Sequence, residues 1–319
     1  MCRWFAYIGE EPALLEDILI KPKHSIVKQI DVHFLPYLHI SYGEHVGKKM
    51  YSSGVASDER GPNHFTNVDG FGIGFYTGVA AEFNDDYINR PCVYRNTRPP
   101  INDLNLASLC AHTATKCVFA HIRAGTASSP IVETNNHPFI FVKLLSKLST
   151  KAYGNIFGTT DTEHVAALFF TYLGDDWDAE LEIEQLKEAM IKTLRDVLAL
   201  IDETTNDNEE ISLHSALNFA VSDGCQLLAT RFASTDQLDP PSLYYSTTAG
   251  PTLNRKYPDH PDGKDSRRKS IYETDKHGKH AIVASEPNTY KAEDWHLIPP
   301  NSFVFVRRNF DVSTEKIQL

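Results

Sequence analysis

Among the 319 residues, the side chain best placed for covalent chemistry is Cys2, in the opening run Met1-Cys2-Arg3-Trp4-Phe5-Ala6-Tyr7-Ile8-Gly9. A residue that small permits removal of Met1, which would leave Cys2 carrying both a thiol and a free α-amine. An α-amine titrates near about 7.7–8.0 and a thiol near about 8.5, so at neutral pH the amine can act as base for the thiol. A terminal amine that activates its own side chain is a recognised way of making a nucleophile. Position alone does not make Cys2 one, since any residue can follow an initiator methionine. The case depends on what could meet it.

Three downstream clusters qualify. His121-Ile122-Arg123-Ala124-Gly125-Thr126 ends an apolar run with a fixed cation and a hydroxyl. Thr134-Asn135-Asn136-His137-Pro138-Phe139 reads as a polar turn, and Asp161 stands at the start of a helix. Arginine suits planar, two-pronged capture of a carboxylate, and an aspartate suits an ammonium. Together they would hold the amino-acid end of a glutamyl group with its side-chain amide facing the thiol. Taken singly, each has an ordinary use: Arg123 in a surface ion pair, His137 as a packed loop histidine, Asp161 as a helix cap. As an ordered set they favour the functional reading.

The elements that must carry these residues follow from pattern. Residues 3–8 are aromatic and β-prone, a strand beginning at Cys2. Glu11 to Leu19 is expected to be helical, with Pro12 in the first turn. Asn67 to Tyr76 places glycines at 70, 72 and 74, leaving one strand face bare so that a backbone or ligand can approach it. The spacing misses G-x-G-x-x-G and no lysine completes a phosphate loop. Strands are expected at 92–95, 117–123, 217–222, 225–231, 242–246, 280–287 and 302–308, with Asp223-Gly224 as a hairpin turn. Helices are expected at 102–112, from Thr160 or Asp161 onward, and over about 179–203, where the apolar stripe of Ile183, Leu186, Met190, Leu194, Val197 and Ile201 is read as core. The result is a single α+β body over residues 2–319, with excursions at 31–66 and 249–280.

Composition narrows the function. With 31 basic against 42 acidic residues, the net charge is −11, which argues against nucleic-acid or anionic-membrane surfaces. No apolar run reaches the length of a bilayer span, and the opening residues, with no basic region followed by an apolar one, are not expected to act as a secretory signal. The five cysteines are odd in number and scattered, which suits a reducing, cytoplasmic setting and neither a disulfide framework nor a structural zinc. No metal or cofactor is expected.

The start Met1-Cys2-Arg3-Trp4, Asn67-x-Asp69-Gly70-Phe71-Gly72, His121-Ile122-Arg123-Ala124-x-Thr126, Asn136-His137-Pro138-Phe139, Thr160-Asp161-Thr162-Glu163 and Ala284-Ser285-Glu286-Pro287 together resemble the class II glutamine amidotransferases, which are N-terminal-nucleophile hydrolases. The branch most similar is the one containing the amidotransferase-like subunit of the cytosolic glutathione-degrading complex. The resemblance implies a four-layer αββα sandwich. It also implies Cys2 as nucleophile, Arg123 and Asp161 on the substrate's α-carboxylate and α-ammonium, and Thr126 and His137 shaping the pocket. The implied reaction is γ-glutamyl amide hydrolysis through a thioester, on glutathione or glutamine, with a peptidase-like partner subunit.

The same resemblance leaves two alternatives open. One is an amidase of thiol-histidine (ergothioneine-type) biosynthesis. The other is a catalytically impaired scaffold subunit, because the family's Asn-Gly pair, donor of the oxyanion hole, is missing between Phe139 and Asp161. Loss of a single oxyanion donor typically costs about 10²–10³ in rate.

Overall fold

A computed structural model describes residues 2–31, 67–77, 90–125, 130–139, 154–174, 180–206, 215–235, 239–253, 278–289 and 291–319. Most of the excursion expected at 31–66, the greater part of that at 249–280, and Thr126 lie outside the described residues. Within the second excursion, Gly250–Leu253 form one helical turn.

The first strand, β1 (Arg3–Leu14), is the centre of the architecture. The expected helix at 11–19 does not form as such: β1 runs on through Pro12, and only Glu16–Ile20 turn helically, as a short π-helical segment. The register against the neighbouring strand shifts between Ile8 and Ala13. That irregularity accommodates a proline, which cannot donate to a regular ladder.

Around β1 a seven-stranded antiparallel sheet forms from β2 (Phe71–Phe75), β3 (Cys92–Asn96), β4 (Ala114–Ile122), β7 (Tyr244–Ser246), β8 (His280–Ala284) and β9 (His296–Leu297). Its order is β3-β2-β4-β1-β8-β7-β9. A second antiparallel sheet, ordered β11-β10-β6-β5, comprises β5 (Ala220–Ser222), β6 (Leu227–Arg231), β10 (Ser302–Val306) and β11 (Val312–Lys316). The helices are α1 (Leu104–His112), α2 (Asp161–Leu173) and α3 (Ile183–Asn206). The Asp223-Gly224 turn joins β5 to β6 as expected, with Gly224 at φ +93°. Strands β9 and β11 were not legible in the sequence.

Alternation along the strands explains the packing. In β1, Phe5 and Tyr7 face one way and join Phe71, Ile73, Val118 and Ala120 beneath Leu106 and Cys110 of α1. Ala6 and Ile8 face the other way and meet Leu227, Ala229, Val304 and Val306 of the second sheet. That sheet turns Leu228, Phe303 and Phe305 outward onto Phe169 of α2 and Leu186, Met190 and Leu194 of α3. The stripe on α3 is core, as its spacing indicates. Each fully buried large apolar side chain contributes about 1.5–3 kcal/mol, so both faces of each sheet are held and β1 is clamped at its centre.

Candidate active site

The opening of β1 places Cys2. Arg3 pairs with Ile122 and Trp4 with His121, so Cys2 stands at the end of β4, where Arg123 follows Ile122. The Cys2 Sγ accepts from the Ala124 N–H at 3.3 Å and lies 3.6 Å from the Ala124 carbonyl oxygen. The thiol is exposed. On the other side, Ser285 fastens the strand start: its Oγ accepts from Trp4 N at 3.0 Å and its N–H donates to Trp4 O at 2.9 Å. The Ala284-Ser285-Glu286-Pro287 motif thus aligns the nucleophile's strand. Next to it, burial pushes the Glu286 carboxyl up, with Arg3 opposing the shift, while Ser242 Oγ donates to it at 3.0 Å.

Arg123 is 4% exposed, and its Nη1 donates to the Pro130 carbonyl at 2.9 Å. The backbone on either side is held by β2's approach: Arg123 N–H donates to Gly70 O at 2.8 Å, and Gly125 N–H to Asp69 Oδ2 at 2.7 Å. This gives Asn67-x-Asp69-Gly70 a positional role that the motif alone did not reveal.

The bare glycine face does what its periodicity anticipated. A Cβ at Gly72 would run into the His137 carbonyl oxygen, and one at Gly74 would sit 2.7 Å from Pro138 Cγ. The His137-Pro138 segment therefore lies directly on β2. Arg95 Nε and Nη2 hold the Pro138 carbonyl at 3.1 and 2.5 Å. The His137 ring packs against His121 at a tilt of 39°, with centroids 4.2 Å apart.

Burial pushes the His137 imidazole down to about 4; Arg95 and Arg123 add to the shift and Asp161 opposes it. Burial, then His137 and Arg123, hold His121 well below the usual histidine range. Both rings are therefore neutral at physiological pH. The charges of Arg123 and Asp161 act on His137 in opposite directions.

Asp161 opens α2, behind the N-cap Thr160, whose Oγ1 accepts from Glu163 N–H at 3.3 Å. It is exposed, and its Oδ1 accepts from Thr162 N–H at 2.7 Å. Cys2 and Arg123 stand at the end of β4, His137 in the 130–139 turn and Asp161 at the start of α2, and Asn135 ties that turn to Thr159 just ahead of α2. The segment 140–153, where the family's Asn-Gly pair is looked for, lies outside the described residues, and Gly154-Asn155 lead into α2. Among the described residues no group of three His, Cys, Asp or Glu side chains could hold a metal ion, and no helix is long and apolar enough to cross a membrane.

Asn135, Glu163, Asp69 and Ser285 fall within motifs visible in the sequence, but sequence reasoning gave none of them the bracing role it has here. Each acts on backbone groups outside any regular period, from five residues away for Glu163 on Gly158 to 281 for Ser285 on Trp4, which leaves no pattern to read.

Comparison with known proteins shows the family and a likeness of fold. Residues 52–317 match the family model of class II glutamine amidotransferases; Cys2 precedes the matched span. A Saccharomyces cerevisiae protein named probable glutamine amidotransferase DUG3 is 28% identical over 97% of this chain and 82% of its own length. The γ-glutamyl-hercynylcysteine sulfoxide hydrolase of Mycolicibacterium smegmatis is 24% identical over 74% of this chain and 81% of its own length. A solved glutamine aminotransferase class-II domain protein from Silicibacter pomeroyi superposes with a TM-score of 0.51 at 18% identity, covering 100% of both chains, a likeness of fold.

Proposed function

Because the chain belongs to the class II glutamine amidotransferases, we propose that it hydrolyses γ-glutamyl amides through Cys2, with glutathione as the substrate and a peptidase-like subunit as partner in the cytoplasm. The observation that supports this reading is the exposed Cys2 thiol, just ahead of β1 and hydrogen-bonded to Ala124 beside the buried Arg123, with Asp161 opening α2. We further read the two sheets and their flanking helices as the four-layer αββα sandwich of N-terminal-nucleophile hydrolases, folded as one domain.

In this mechanism Arg123 binds the substrate α-carboxylate and Asp161 its α-ammonium, while Thr126 and His137 shape the pocket walls. A neutral His137 suits that task, since a second cation beside Arg123 would repel the ammonium that Asp161 must hold. The Cys2 α-amine takes the thiol proton, and the sulfur attacks the γ-carbonyl. The tetrahedral intermediate collapses as the ammonium returns a proton to the leaving amine, which is cysteinylglycine from glutathione or ammonia from glutamine. Water, deprotonated by the same amine, attacks the thioester, and glutamate leaves with the thiol restored.

A second reading has one observation in its favour. The missing Asn-Gly pair fits a scaffold subunit with impaired catalysis, whereas the hydrolase reading needs other donors for the oxyanion. A third, an amidase of thiol-histidine biosynthesis, has the Mycolicibacterium smegmatis relative in its support. The experiment is a hydrolysis panel of glutathione, glutamine and γ-glutamyl-hercynylcysteine sulfoxide, run with purified protein alone and with a candidate peptidase-like subunit. Glutamate release that is strongest from glutathione and abolished by Cys2→Ala is expected. No release from any of the three in either condition favours the scaffold and overturns the proposal.

A further inference from the structure

Two fully buried polar side chains connect the grips on the substrate without touching it. Asn135 has no exposed surface and Glu163 is 2% exposed. The Asn135 Nδ2 donates to Pro130 O at 3.0 Å, the same carbonyl that receives Arg123 Nη1 at 2.9 Å. The other end of that amide reaches the approach to α2: Thr159 N–H donates to Asn135 Oδ1 at 2.7 Å, and Nδ2 also donates to Thr159 Oγ1 at 3.2 Å. Asn135 thus links the arginine's anchoring carbonyl to a residue two before Asp161.

Glu163 locks the same approach from the helix side. It occupies the third helical position behind the Thr160 cap, where a glutamate ordinarily reaches back to the cap's own N–H. Here its oxygens accept instead from Phe157 N at 3.1 Å and Gly158 N at 2.8 Å, three and two residues before the cap. The carboxylate therefore ties the entry segment to the first turn. A Cβ on Gly158 would run into Asn135 Oδ1 and would meet Glu163 Oε2 and Thr134 O, each at 2.7 Å. The segment is consequently pressed against both braces, and the buried carboxylate is satisfied by two charge-assisted hydrogen bonds.

We infer that Asn135 and Glu163 are positioning residues that set the spacing between Arg123 and Asp161, and with it the selectivity for substrates bearing a free α-amino-acid end. The inference rests on the assignment of Arg123 and Asp161 as the two grips. In this arrangement the Asp161 carboxylate faces an ammonium only while the 157–160 segment is held from both sides. Release of either side lets the first turn of α2 shift relative to Arg123.

The test compares glutamine with glutaramate, which has the same amide and carboxylate but no α-amine. Glu163→Gln keeps shape but replaces one accepting oxygen by a donor. It is expected to raise KM for glutamine by about 10–100-fold with kcat little changed. Its kcat/KM for glutaramate should stay within about two-fold of the unsubstituted protein, because there is no ammonium to misplace. Adding Asp161→Asn to Glu163→Gln should cost little more, since both remove the same contact. Thr159→Val, on an exposed residue, takes away one acceptor of Asn135 and should move the same ratio by a few-fold; it serves if Glu163→Gln fails to fold. Equal losses on both substrates, or none on either, overturn the inference, because a merely structural role would not distinguish them. If the unsubstituted protein itself releases glutamate from no γ-glutamyl amide, the functional reading fails and the inference with it. That failure is visible without any variant.

Discussion

Gly72→Ala probes the site through its floor. The added methyl would fall on the His137 carbonyl oxygen and lie 3.1 Å from its carbon, with Arg95 Cγ at 3.2 Å on the other side. Ordinary carbon contacts begin near 3.4 Å, so the His137-Pro138 segment must lift by roughly an ångström, against the two Arg95 hydrogen bonds and the tilted ring contact with His121. Overpacking of this kind costs about 1–3 kcal/mol of stability. The functional cost should be larger, since misplacement of about 1 Å near a reacting centre can lose on the order of 10²-fold in rate. Urea denaturation gives the first quantity, and kcat/KM for γ-glutamyl hydrolysis gives the second. Ile73→Ala, on the same strand but facing the opposite core, should cost about 2–5 kcal/mol and leave kcat/KM near its original value. If Gly72→Ala loses stability yet keeps full activity, the 130–139 turn does not shape the site, and the reasoning from the bare glycine face is wrong.

Acid should weaken the fold through the histidine pair. Their folded pKa values lie below the unfolded value of about 6.5, so the native state binds fewer protons and loses stability as pH falls from about 6.5 toward the His137 value of about 4. His137 alone contributes on the order of 3 kcal/mol to this loss, and His137→Asn should flatten the pH dependence of the urea midpoint. Alkylation of the native protein should label the exposed Cys2, Cys92 and Cys225 and spare Cys110 and Cys117, whose thiols burial pushes up to about 12; peptide mass spectrometry reads the pattern. Arg123→Lys should raise KM by about 10-fold or more, because a lysine cannot reproduce the fork that meets a carboxylate. Asp161→Asn should raise KM for glutamine while leaving glutaramate hydrolysis unchanged.

What was legible in the sequence had a short period or a local cause. Glycines at every second residue announced a close approach to β2, and the cap at Thr160 announced α2. Alternating apolar runs gave the central strands. Pro12 misled because a proline near acidic residues reads as a helix start, whereas the irregular register after Ile8 lets it sit inside β1. Strand β11 escaped notice because its sequence, Val-Ser-Thr-Glu-Lys, is a polar edge with four exposed residues, and edges are commonly charged to prevent further pairing. At the site, Arg123 and Asp161 stood out because their charges suit an amino acid. Asn135 and Glu163 did not, since their partners are backbone groups whose proximity exists only after folding.

The central claim is that Cys2, with its own amine freed, forms a thioester with the γ-glutamyl group. Intact-mass spectrometry of the protein, rapidly quenched during turnover of glutathione, tests it most directly. The expected result is a chain lacking Met1 that carries one γ-glutamyl adduct mapped to Cys2, with no adduct and no glutamate release in Cys2→Ala. Active protein that retains Met1, or a Cys2→Ala variant that still hydrolyses its substrate, would contradict it.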